Sequence, residues 1–177
     1  MPRYKLTVEY DGRPFVGWQR QANGLSVQEA IESAIENLTG ASAPIQAAGR
    51  TDAGVHAKGQ VAAFTCSGDG PEGVKPHGGW PLSRGADKLR IAINGRLPED
   101  CLVTHAEVVP ADFDPISDTR AKGYSYTMHT SRVRALFDRR FVHHVWEELD
   151  VPAMAEAAAM LVGEHDFAAF AAAGHGR

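Results

Sequence analysis

The segment Gly49-Arg50-Thr51-Asp52-Ala53-Gly54-Val55-His56-Ala57 concentrates residue types that can do chemistry. Arg50 and Asp52 lie two apart, so an extended backbone points both to one side. A guanidinium beside a carboxylate favours its ionised form. A carboxylate held ionised by such a fork is suited to act as a nucleophile or a base. Gly49 and Gly54 permit tight backbone within the segment. The same residues also fit a plain turn at Asp-Ala-Gly with a structural Arg50–Asp52 ion pair, and residue types alone leave both readings open. His56 is expected to support the loop rather than to react.

Other chemistries lack their residues. His143 and His144 are adjacent, so a strand turns them to opposite faces, and His165-Asp166 has no partners at ligand spacing. No metal is expected. There is no Gly-rich phosphate loop and no Gly-x-Ser-x-Gly. Cys66 and Cys101 stand outside any C-x-x-C, and two thiols make no disulfide framework. Reduced structural thiols in a cytoplasmic protein are the expectation. Trp18, Trp80 and Trp146 are isolated aromatics, for which packing is the default.

The elements that must position the segment are partly readable. Tyr4, Leu6, Val8 and Tyr10 alternate with Lys5, Thr7 and Glu9, which predicts a half-buried strand. Ser26 with Glu29 forms a capping box, and Val27, Ala30, Ile31, Ala34, Ile35 and Leu38 line one helical face up to Gly40. Strands are expected at 45–48, 61–65 and 102–109, and a helix at 89–93. Residues 67–83 are rich in glycine and proline and predict an exposed, flexible loop. The resulting order, β-α-β-β-α-β, points to an α+β fold. Further on, strands are expected at 124–129 and 141–146, with a helix from Asp150-Val-Pro to Gly163. The predicted division is 1–110, an N-terminal α+β half with the loop 49–58, and 111–177, a partial second half.

With 177 residues, 44% of them hydrophobic and 23% charged, the chain is no collagen, coiled coil or disordered tail. No run reaches the roughly 20 apolar residues of a membrane helix. The start, Met1-Pro-Arg-Tyr-Lys, enters a strand pattern directly, so no signal peptide is expected. A formal charge of −4 conceals two blocks. Residues 120–144 carry six basic side chains against one acid, whereas 146–177 carry six acids against one arginine. Local clusters set the field a polyanion meets.

The 49–57 segment resembles the active-site motif of the tRNA pseudouridine synthase A family, G-R-T-D-x-G-V-H. The resemblance runs on through Tyr10-Asp11-Gly12, Phe15, Gly17-Trp18-Gln19-Arg20-Gln21 and Ser26-Val27-Gln28-Glu29. It extends to 89–100 with Asn94 and Leu97-Pro98, to Phe113, to Ala121-Lys122-Gly123-Tyr124-Ser125-Tyr126 and to Gly163-Glu164-His165-Asp166-Phe167. It implies a pseudouridine synthase fold: two ferredoxin-like halves flanking a central basic cleft. It implies isomerisation of uridine to pseudouridine at positions 38, 39 and 40 of the tRNA anticodon stem-loop, without cofactor or metal. Asp52 is then the catalytic aspartate. Tyr124 contacts the substrate base, and Arg50 pairs with Asp52 and fills the gap left by the flipped nucleotide. Arg20, Lys58 and Lys122 are candidate RNA contacts. A cytoplasmic homodimer with tRNA as partner follows from the same resemblance. Two departures stand out. Ile116 occupies a place where the family has arginine. The family's later Phe-Leu-x-x-Met-Val-Arg stretch is missing, so a C-terminal truncation with an incomplete second half is expected. The competing expectation is an inactive RNA-binding protein or fragment on the same scaffold.

Overall fold

The computed structural model describes residues 1–66, 79–80 and 82–170. Most of the expected flexible loop 67–83 therefore lies outside the described residues. The chain divides into two compact units, Met1–Lys122 and Gly123–Arg177.

The first unit is built on one antiparallel sheet. Its elements are β1 (Arg3–Tyr10), α1 (Val27–Thr39), β2 (Gln46–Ala47), β3 (Ala57–Thr65), α2 (Ala86–Asn94) and β4 (Cys101–Val109). The strand order is β2-β3-β1-β4. This is the expected β-α-β-β-α-β set, mixing helices with an antiparallel sheet. β1 is central, and its alternation does what a half-buried strand requires. Tyr4, Leu6, Val8 and Tyr10 are buried, while Glu9 is exposed. Tyr4 faces Phe64 in register, and the two rings stack at 5.5 Å.

Each helix lays one apolar stripe on this sheet. Ser26 Oγ accepts the Glu29 N–H at 3.1 Å and caps α1. Val27, Ala30, Ile31, Ala34 and Ile35 are buried on the expected face. α2 begins three residues before its predicted start and buries Leu89 and Ile93. Its last residue, Asn94, exchanges two hydrogen bonds with the Val103 backbone at 2.8 and 2.9 Å, which locks the helix end to β4. Cys66 and Cys101 are free and buried. Burial pushes the Cys101 thiol up to about 12.

β3 begins at Ala57, four residues before the predicted start. Ala57-Lys58-Gly59-Gln60 shows no apolar alternation, and it becomes strand by pairing with β1 (Tyr10↔Ala57, Val8↔Gln60). Both ladders of β1 shift register near its end, between Val8 and Tyr10 against β3 and between Thr7 and Val8 against β4. Such irregularities bend and twist a strand locally. They fall where β1 hands over to the Asp11-Gly12 turn.

Residues 111–122 pack with this first unit. Arg3 Nε donates to the Phe113 carbonyl at 2.6 Å, and Gln46 Nε2 donates to Asp114 Oδ1 at 3.1 Å. Pro115 is fully buried.

The second unit holds β5 (Met128–Thr130) and β6 (His143–Val145), a parallel pair, and α3 (Val151–Ala159). Asp150 caps α3 by accepting the Ala153 N–H at 3.0 Å. The predicted strand at 124–129 forms only from Met128, and the helix ends at Ala159, short of Gly163. None of the described residues of this unit is buried. No helix among the described residues is long and apolar enough to cross a membrane.

Candidate active site

Residues 49–56 connect β2 to β3, and their backbone is fixed from several sides. At the start, the Gly49 carbonyl accepts from Gln60 Nε2 at 2.5 Å, and the Ala48 N–H donates to the Val61 carbonyl at 2.8 Å. In the middle, the Thr51 carbonyl accepts the Trp18 N–H at 2.9 Å, and the Thr51 and Tyr10 hydroxyls lie 2.7 Å apart. At the end, His56 Nδ1 lies 3.2 Å from the Gly12 N–H donor and 3.1 Å from Asp11 Oδ1. The Val55 N–H donates back to the Asp52 carbonyl at 3.2 Å and closes a turn over Ala53-Gly54.

Two glycines from outside the segment make this fit. A Cβ on Gly12 would sit 2.1 Å from the Val55 carbonyl oxygen. A Cβ on Gly17, whose φ is +109°, would sit 2.9 Å from the Thr51 oxygen and 3.3 Å from the Asp52 carbonyl carbon. Backbone therefore meets backbone at both places, and only glycine allows that approach. The Asp52 carboxylate stands exposed on this clamped loop, with no hydrogen bond or ion pair to any described residue. A short, firmly held loop presenting an open carboxylate leaves that group chemically able to act as a nucleophile or base.

The expected Arg50–Asp52 pair does not form among the described residues. The i, i+2 argument assumes extended backbone, but the chain turns at Asp52. Arg50 is exposed. Lys122 is brought to the same place: its Nζ lies 3.3 Å from where a Gly49 Cβ would stand, and its Cε 3.5 Å. Lys58 is exposed on β3. Arg20 is instead engaged at the start of α1, 3.8 Å from both Glu29 and Glu32. Tyr124 belongs to the second unit and is 76% exposed.

Residue types alone do not mark Asp11, Gly12, Gly17 and Thr51 as a working set. Their motif positions, Tyr10-Asp11-Gly12 and Gly17-Trp18, carried the signal, but nothing local says which backbone they approach. Asp11 is held well below the ordinary carboxylate range, to about 2, chiefly by its hydrogen bonds from Arg13. The Arg13 guanidinium grips both Asp11 oxygens. No group of three or more His, Cys, Asp or Glu side chains that could hold a metal occurs among the described residues.

The fold and this loop define an α+β scaffold that displays one acidic side chain between two strands. Residues 6–116 match the family model described as tRNA pseudouridine synthase. The chain is 46% identical over 173 residues to tRNA pseudouridine synthase A of Myxococcus xanthus, covering 98% of this chain and 60% of that protein. It is 45% identical over 175 residues to tRNA pseudouridine synthase A of Brucella ovis, covering 97% of this chain and 64% of that protein. The chain belongs to the tRNA pseudouridine synthase family. It spans less than two thirds of the length of these curated relatives.

Proposed function

We propose that this protein isomerises uridine to pseudouridine in tRNA, with Asp52 as the catalytic residue. The observation that carries the reading is the exposed Asp52 carboxylate on a loop clamped between Gly12 and Gly17. In this reaction the N1–C1′ bond breaks, the uracil turns, C5 bonds to C1′ and the C5 proton is lost while N1 gains one. No net oxidation occurs, and no cofactor or metal is invoked. Asp52 serves as the nucleophile or base. A uridine in a stem must leave the stack before its glycosidic bond is reachable, so the nucleotide is flipped out.

The substrate region is the anticodon stem-loop, at positions 38, 39 and 40. Arg50 fills the space the base vacates, and the exposed ring of Tyr124 stacks on the extruded base, contributing about 1–3 kcal/mol. Lys122, Lys58 and Arg20 contact phosphates. The position of Lys122 beside Gly49 supports its part in this set. The ion pairs of Arg20 with Glu29 and Glu32 weaken that residue's part. The finer architecture belongs to the same proposal: two ferredoxin-like halves flanking a basic cleft, in a cytoplasmic homodimer.

Release of tritium from tRNA carrying 5-tritiated uridine tests the reading. The wild type is expected to release it, and Asp52→Ala to fall to background. Release by Asp52→Ala at the wild-type rate would refute the assignment. One observation favours a second reading, RNA binding without modification: Ile116 is 56% exposed where the family has arginine. Under that reading the wild type releases no tritium yet shifts tRNA in a gel with steep salt dependence.

A further inference from the structure

We propose that Asp11 and His56 are positioning residues for the reaction assigned above to Asp52, a reading on which this inference rests: they tie the far end of the loop to the turn that follows β1. The turn is itself anchored, because the Asp11 N–H donates to the Asp100 carbonyl at 2.9 Å just before β4. Arg13 holds the Asp11 carboxylate from the other side, with its Nε 2.9 and 3.0 Å from the two oxygens. His56 then meets this anchored turn through Nδ1, 3.2 Å from the Gly12 nitrogen and 3.1 Å from Asp11 Oδ1.

One nitrogen cannot serve both contacts at once. A neutral imidazole with its proton on Nε2 accepts the Gly12 N–H at Nδ1. An imidazolium donates its Nδ1 proton to Asp11. Asp11 faces the ring from the turn, and its carboxylate is itself held by Arg13, on which Asp100 from the segment before β4 also acts. In either protonation state the imidazole therefore finds a partner within residues 11–12. The tie persists as the proton moves. Val55, the neighbour of His56, closes the turn onto Asp52, so a shift of the imidazole is passed to the carboxylate within one turn of chain. Misplacing a reacting group by about 1 Å costs about 10²-fold in rate.

The test compares the wild type with His56→Ala, His56→Asn and Asp11→Asn in the full 177-residue chain. Tritium release gives kcat and KM, and amide exchange at Gly12 and Val55 reports the tie directly. His56→Ala is expected to lower kcat about 10²-fold with KM for tRNA little changed. It should speed exchange at Gly12 and Val55 and leave the sheet amides of Leu6 and Phe64 protected. In His56→Asn the side-chain oxygen can take the Gly12 N–H, so both kcat and protection should largely return. Asp11→Asn should fall between the two. Unchanged kcat and unchanged exchange in His56→Ala would overturn the proposal. So would His56→Asn that regains protection but stays as slow as His56→Ala, because the imidazole would then be moving a proton itself. A wild type that releases no tritium would sink the functional reading alone. Exchange at Gly12 and Val55 still decides the tie.

Discussion

The two units of this chain handle their apolar side chains in opposite ways. In Met1–Lys122, β1 and its neighbours bury Tyr4, Leu6, Val8 and Phe64 under α1 and α2. In Gly123–Arg177, Phe137 is 89% exposed, Val162 79% and Tyr126 74%, and no described residue is buried. Burial of a large apolar side chain contributes about 1.5–3 kcal/mol, so the first unit holds itself together by a term the described part of the second lacks. The loop bearing Asp52 sits wholly in the first unit. Its geometry therefore rests on the unit with a buried core, whereas Tyr124 is carried by the unit in which no described residue is buried.

The widest gap between the units should appear on truncating an apolar side chain in each. Leu6→Ala is expected to cost about 2–5 kcal/mol in urea unfolding followed by tryptophan fluorescence. Phe137→Ala, with nothing packed around most of its ring, should stay within about 0.5 kcal/mol. A cost for Phe137→Ala comparable to that for Leu6→Ala would break the comparison.

Helix caps sharpen it on a smaller scale. Ser26 and Asp150 each accept one backbone N–H at a helix start, at 3.1 and 3.0 Å. The local chemistry is the same, but Ser26 is fully buried and its helix carries the core. Ser26→Ala should lower the unfolding free energy by about 1 kcal/mol. Asp150→Ala should leave that transition within a few tenths of a kcal/mol and register only as a loss of helical signal from α3. Equal effects on the main transition would mean that the two units unfold as one.

The same contrast separates what the sequence makes legible from what it hides. β1 and α1 are readable because their signals are local: alternation over Tyr4–Tyr10, and a cap with a 3.6-residue stripe from Ser26 to Leu38. The first half of β3 is not, because Lys58-Gly59-Gln60 becomes strand only through its distant partner β1. The Arg50–Asp52 spacing misleads for a related reason. An i, i+2 rule holds for extended chain, and the turn closed by Val55 breaks it. Gly12 and Gly17 announce themselves as glycines, but the carbonyls they admit, Val55 and Thr51, lie 43 and 34 residues away in the chain. The chemistry-bearing segment was visible, and the clamp that holds it was not.

The smallest effect bears on that clamp. A carboxyl whose pKa is lowered on folding stabilises the native state above its unfolded value and loses that contribution as pH falls to its folded value. For Asp11 the window runs from 3.8 down to about 2. The Arg13 side chain is 38% exposed, so solvent screening holds the contribution to on the order of 1 kcal/mol. Urea midpoints measured between pH 5 and pH 2 should fall more steeply for the wild type than for Asp11→Asn, which has no carboxylate to lose at that site. Arg13→Ala should flatten the acid profile toward that of Asp11→Asn, because the hydrogen bonds that depress the Asp11 pKa are gone and folded and unfolded chains then bind that proton alike. Identical acid profiles for the wild type and Asp11→Asn would mean that the Asp11–Arg13 grip adds nothing to the stable unit. The loop would then owe its position to the backbone fit at Gly12 and Gly17 and to its hydrogen bonds with Gln60, Trp18, Tyr10 and the Gly12 N–H.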